Sequence, residues 1–243
     1  MRILSVSDLH YRLPHYDWLL GAAADADLVV LAGDLADVVN PVPVHVQAVV
    51  LRGYLERLAE RAVVAVASGN HDLDGPGANG EQTAGWLRGL RLDGVVTDGA
   101  SLDLGPVRVT VCPWWDGPLG RDELDGQLTA AAPGRPETWV WVHHAPPAGT
   151  PLCTDGRREF PDHELAAWIG RHRPDVVLCG HIHQAPWARG GSWRARLGPT
   201  WVFNAGKQIG PVPPHVVLDA AERTAFWYGV FESETVPLDT PGD

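Results

Sequence analysis

Five short segments of this sequence carry side chains able to hold a metal ion. They are Asp8-Leu9-His10, Gly33-Asp34-Leu35-Ala36-Asp37, Gly69-Asn70-His71-Asp72, His143-His144 and Gly180-His181-Ile182-His183. Each alone has a plain explanation: an aspartate after a strand caps a loop or helix, and a glycine makes a turn. His181 and His183 lie two apart, so on an extended segment they share one face. Taken together, the segments place Asp, Asn or His at five consecutive strand ends, which turn chemistry does not explain. Oxygen and imidazole donors without a thiolate, and with one carboxylate free to bridge, make the donor set of a hard-to-borderline divalent metal.

The elements that must position these residues alternate between short apolar runs and amphipathic stretches, which is α/β patterning. Strands are expected at 3–7, 28–31, 63–67, 101–104, 107–112, 138–142 and 176–178, and helices at 16–24, 44–61, 82–90, 122–131 and 163–171. The last third reads as a strand meander over 193–197, 200–203, 215–218 and 225–228. The segments above then fall at the carboxyl ends of their strands, where open α/β sheets place their ligands. Residues 1–231 are expected to form one domain with two sheets. The acidic stretch 232–243, which contains proline and glycine, is expected to be a flexible tail.

Composition narrows the function. Across 243 residues, 19 Lys+Arg stand against 30 Asp+Glu, a formal net charge of -11. That balance argues against a broad phosphate-backbone footprint, and so against a nucleic-acid polymer as partner. It leaves room for a small anion drawn to a local positive charge. Three widely spaced cysteines, Cys112, Cys153 and Cys179, form no CxxC pair, so neither a disulfide framework nor a thiolate zinc site is expected. The apolar runs are far short of a membrane span, and the chain opens on a strand pattern rather than a secretory leader. The expected location is the cytoplasm.

The order DxH, GDxxD, GNHD, HH, GHxH resembles the calcineurin-like metallophosphoesterase superfamily, with motifs spanning residues 8–183. The resemblance implies an α/β fold: a four-layer α-β-β-α sandwich of two mixed sheets flanked by helices, with the metal site at the strand carboxyl ends. It implies two divalent ions, Mn²⁺, Fe²⁺/Fe³⁺ or Zn²⁺. Asp8, His10 and His183 match the ligands of the first, and Asp34 the bridging carboxylate. Asn70, His143 and His181 match the ligands of the second. His143 is taken in preference to His144 because the family ligand directly follows its apolar strand. A shift of one residue would turn the side chain to the other face. His71 matches the general acid, and Asp37 the carboxylate that orients this histidine in some members. Asp72 reads as a structural hydrogen-bonding residue. The implied chemistry is in-line attack on phosphorus by a water activated between ions roughly 3.5–4 Å apart.

Departures from the family narrow the substrate. Val38 stands where the protein Ser/Thr phosphatases carry a phosphate-holding arginine, and GNHD stands for their GNHE. At this length the capping domain of the DNA-repair nucleases is not expected. A small phosphodiester or phosphomonoester remains, of cyclic-nucleotide or nucleotide type. The alternatives are a nuclease on short single strands and a metal-bound scaffold without catalysis. Candidate substrate contacts are Asn70 through its NH2, Tyr11 and Arg12 beside the first motif, and Trp114 and Trp115, one of which could stack on a ring. Arg157 of the Arg157-Arg158 pair is a candidate clamp for a second phosphate. Lys207, the only lysine, follows Asn204-Ala205-Gly206 and is a possible anion contact.

Overall fold

The computed structural model describes residues 1–239. Its first sheet is built on four parallel strands rich in Val, Leu and Ala: β1 (Arg2–Val6), β2 (Leu28–Ala32), β3 (Val63–Ala67) and β6 (Val95–Thr97). Near-continuous apolar runs of this kind belong to parallel strands covered on both faces. Antiparallel β13 (His215–Asp219), β14 (Thr224–Tyr228) and β15 (Ser233–Pro237) extend the sheet from β1, in the order β15-β14-β13-β1-β2-β3-β6. Between β3 and β6 lie the two-residue pair β4 (Gly75–Pro76) and β5 (Gln82–Thr83), and the one-turn helix α3 (Gly85–Arg88).

The second sheet repeats the plan. Parallel β8 (Val107–Val111), β9 (Thr138–Val142), β10 (Val176–Cys179) and β12 (Thr200–Asn204) form its centre. Antiparallel β7 (Ser101–Leu104) and β11 (Arg194–Leu197) form its edges. Helices α1 (Leu13–Ala22) and α2 (Val44–Ala59) cover the first sheet. Helices α4 (Pro118–Ala131) and α5 (His163–His172) cover the second. The result is the four-layer α/β sandwich that the resemblance implies. No helix among the described residues is long and apolar enough to cross a membrane.

Side-chain parity assigns each face. On β2, Leu28, Val30 and Ala32 enter the core between the sheets, while Val29 and Leu31 pack under the helices. On β9, Val140 and Val142 face the inter-sheet core, and Trp139 and Trp141 face α4 and α5. This alternation decides what the residues just past each strand can reach.

Three expectations change. Residues 233–237 are not tail: they pair with β14, and Val236 is buried against the core between the sheets. The remainder of the expected tail, 240–243, lies outside the described residues. The helix expected at 82–90 shrinks to one turn, because Gln82 and Thr83 are held by β4 and Asp74 accepts the Gly85 and Trp86 N–H groups. Finally, β6 joins the first sheet where the sequence showed no separate strand.

Candidate metal centre

At one end of the sandwich, the loops after β1, β2 and β3 of the first sheet meet those after β9 and β10 of the second. Asp8, His10, Asp34 and His183 form one group whose possible ligand atoms all lie within 4.8 Å of one another. Asp34, His144 and His181 form a second on the same criterion, and His10, Asp37 and His71 a third. Asp34 belongs to the first two. His183 Nε2 lies 3.2 Å from Asp8 Oδ1, His10 Nε2 3.5 Å from Asp34 Oδ2, and His144 Nε2 3.2 Å from Asp34 Oδ2.

The backbone is bent to aim these groups. Asp8, His10, Tyr11, Asp34 and His181 all have positive φ, between 44° and 70°. That conformation is uncommon for residues other than glycine, and its clustering is itself a mark of a functional site. The loops are also pressed together. Gly33 has φ +86°, and a Cβ there would run into the His144 imidazole; one at Gly69 would meet the Asp34 carboxylate. Asp72 ties the second and third loops together, accepting the N–H groups of Leu35 (3.2 Å), Ala36 (2.8 Å) and Gly69 (2.8 Å). Burial and the nearby Asp34 charge push its carboxyl up to about 7, against the pull of those three donors. An Asp72→Ala protein leaves the three N–H groups with no acceptor. We expect it to lose on the order of 3 kcal/mol, read as a drop of roughly 6–12 °C in Tm.

The structure corrects the choice of His143. Its parity is that of Trp139 and Trp141, so it points towards α5, where its Nε2 lies 3.3 Å from Asp162 Oδ2. His144 has the parity of Val140 and Val142 and turns into the cluster. Its Nδ1 donates to the Ala32 carbonyl at 2.8 Å, which leaves Nε2, 3.2 Å from Asp34 Oδ2, as the ring atom a metal would take in place of a proton. A metal ligand commonly has its other ring nitrogen tied in this way.

The electrostatics call for positive charge. Burial lowers the pKa values of His10 and His181 to about 4, despite Asp8 and Asp34 nearby, so both are neutral at pH 7. Burial also works against charging His144, but Asp34 outweighs it and raises the imidazole to about 9. Asp34 in turn is held well below the carboxylate range by His144, His10 and the His71 N–H, which overcome its burial. A carboxylate this deep demands a counter-charge. The donor set fits a divalent cation: the Asn70 carbonyl oxygen and His144 Nε2 are buried without a hydrogen-bond partner, and His10 and His183 turn their Nε2 atoms to each other at 3.0 Å.

The remaining candidates divide. His71 sits edge-on to the His10 ring; its Nδ1 lies 3.1 Å from Asp37 Oδ1, and its N–H donates to Asp34 Oδ1 at 2.8 Å. Trp114 packs its ring against His181 and His144, with centroids 5.4 and 5.8 Å apart. Trp115 packs partly into the core under α4 and α5. Tyr11 packs against the core under α1 and α2. Arg12 and the half-buried Lys207 lie close enough to act on each other. Burial lowers the Lys207 pKa, with Asp8, Asp37 and Asp34 opposing. Arg157 is not brought in: it stands on an exposed turn whose N–H groups are taken by Asp155. Asn204, read as supporting the histidine loop, donates to the carbonyls of Gly180 and Ile182. Asp162, which the sequence did not single out, matters as the partner of His143 and the N-cap of α5.

The sequence model of the calcineurin-like phosphoesterase family matches residues 1–185. No curated protein sequence matches the chain. Among solved structures, it is similar to TT1561 of Thermus thermophilus, at 18% identity and TM-score 0.58 over 98% of both chains. YfcE, a phosphoesterase from E. coli, is 18% identical, with TM-score 0.47 over 98% of this chain and 100% of that one. Vps29 of Entamoeba histolytica, complexed with Zn²⁺, is 13% identical, with TM-score 0.48 over the same shares. At these identities the likeness to TT1561 speaks to the fold alone.

Proposed function

We propose, since this chain belongs to the calcineurin-like phosphoesterase family, that it is a dinuclear-metal phosphoesterase acting on a small phosphodiester or phosphomonoester of nucleotide type. The observation that carries this reading is the pair of donor groups sharing Asp34. Asp8, His10, Asp34 and His183 would hold one ion. Asp34, His144, His181 and the Asn70 carbonyl would hold the other. The all-oxygen-and-imidazole set suits Mn²⁺, Fe or Zn²⁺. When bound, such ions supply Lewis acidity, drawing charge from phosphoryl oxygens and making water acidic enough to act as a nucleophile near neutral pH.

The chain's own residues do the rest. Asp37 accepts from Nδ1 of His71 at 3.1 Å and so orients the ring, whose Nε2 would deliver a proton to the departing alkoxide oxygen. The Asp34 carboxylate fixes the backbone of that histidine through the 2.8 Å bond to its N–H. Arg12 and Lys207 give one flank of the cluster positive charge, which steers a small anion inward on a chain of net charge -11. The three free, buried cysteines suit a reducing compartment, and we place the protein in the cytoplasm.

The test is a panel of bis-p-nitrophenyl phosphate, p-nitrophenyl phosphate, cyclic AMP and 2′,3′-cyclic nucleotides across Mn²⁺, Zn²⁺ and Fe²⁺. We expect hydrolysis that needs added metal, disappears on chelation and returns when metal is restored. Activity unchanged by thorough chelation, or fully active protein holding fewer than two ions per chain, would overturn the dinuclear reading.

A further inference from the structure

The two flanks of the cluster differ in chemistry. Beside His10 stands Lys207, with Arg12 close to it. Beside His181 opens a cavity of about 420 Å³, a size ordinary for a small-molecule subsite. Trp114, Trp115, Phe160 and Pro161 give it flat apolar walls, and His181 connects it to the cluster. Two carboxylates, Asp162 and Glu164, line it together with the imidazoles of His163 and His181, and neither Lys nor Arg does.

This shelf is fixed before any ligand arrives. The Trp114 N–H donates to Ser68 Oγ at 3.0 Å, next to the Gly69-Asn70-His71 segment. The Glu81 carboxylate takes the Leu119 and Gly120 N–H groups at 2.9 and 2.7 Å, pinning the start of α4 just after the two tryptophans. On the other wall, Asp162 caps α5 by accepting the Leu165 N–H at 2.8 Å and is held by His143 at 3.3 Å. Neighbouring residues thus serve two purposes: His144 faces the cluster, and His143 braces the wall beside it.

We infer that this shelf is the specificity subsite of the centre, taking a flat, uncharged ring carried by the phosphate ester and turning away an ester whose far end bears a second anion. The inference rests on the phosphoesterase reading above. A ring stacked on Trp114 gains contact with a rigid π-face. An anion in the same place would lie against Asp162 and Glu164, and would give up its hydration with no lysine or arginine lining the cavity. Arg121 lies 3.7 Å from Glu164 Oε1 outside that lining and softens this repulsion without reversing it.

Methylphosphonate, phenylphosphonate and 4-carboxyphenylphosphonate share one headgroup and resist hydrolysis, so their binding to the metal-loaded protein can be read by calorimetry. Phenylphosphonate should bind about tenfold or more tighter than methylphosphonate. The added carboxylate should cost about threefold or more, and Glu164→Gln should narrow that cost. Trp114→Ala should bring the phenyl-to-methyl ratio near one, and Trp114→Phe should restore part of it. Phe160→Ala, which alters no cluster donor, should lower the same ratio, and a ratio cancels any general loss of binding. Equal binding of phenyl and methyl probes by the parent protein overturns the shelf assignment while the phosphoesterase reading stands. So does a ratio that survives both Trp114→Ala and Phe160→Ala. If no phosphonate binds at all, the phosphoesterase reading fails and this inference falls with it.

Discussion

A His71→Ala protein is expected to hydrolyse esters of poorly acidic alcohols roughly 10²–10⁴-fold more slowly than the parent, with unchanged metal content. The size follows from what the ring supplies. An alkoxide leaving without a proton is a strong base, and His71 has its Nδ1 at hydrogen-bond distance, 3.1 Å, from Asp37, a carboxylate outside the two donor groups that share Asp34. The loss should shrink for p-nitrophenyl esters, whose leaving group departs without a proton. That dependence on the leaving group separates proton donation from simple damage to the site. Asp37→Asn should fall between parent and alanine variant, since the amide can still touch Nδ1 but brings no negative charge beside it. Wild-type rates on alkyl esters for His71→Ala would remove the histidine from the mechanism.

The second large effect distinguishes two neighbours in sequence. His144→Ala should lower bound metal from two ions per chain towards one and abolish most activity, because it deletes a donor of the group it forms with Asp34 and His181. His143→Ala should keep its metal. Its cost is structural: the buried Asp162 carboxylate loses a partner, at about 1–3 kcal/mol, and the brace on α5 weakens. Metal analysis beside thermal unfolding reads both. Metal loss in His143→Ala with His144→Ala fully loaded would restore the assignment made from sequence.

That pair also shows where sequence reasoning stops. Asp8, His10, Asp34, Asn70, His181 and His183 lie together in space because each follows a strand whose apolar run is plain in the sequence. The choice between His143 and His144 depended on which face of β9 meets the other sheet. Both faces are apolar, Trp139 and Trp141 on one and Val140 and Val142 on the other. Alternation that separates buried from exposed could not label them. A turn glycine and two arginines similarly say nothing of direction, and Arg157 ends on an exposed turn. The strand at 233–237 was hidden because only Val236 of its five residues is buried. Its place in the sheet comes from its neighbour β14 rather than from its own pattern.

The position of β1 in its sheet has a consequence for how the chain is made. The strand that leads into Asp8 and His10 is synthesised before the others of its sheet, yet it lies between β2 and β13. Its pairing with β2 is available once residue 32 has been added, but its other side stays open until 215–219 arrive and close it. A chain stopped after Ala205 would carry every proposed donor and still present β1 as a bare edge, the kind of surface that recruits other chains. Translation therefore supplies the ligands well before it supplies the neighbour that keeps their strand from sticking to another copy.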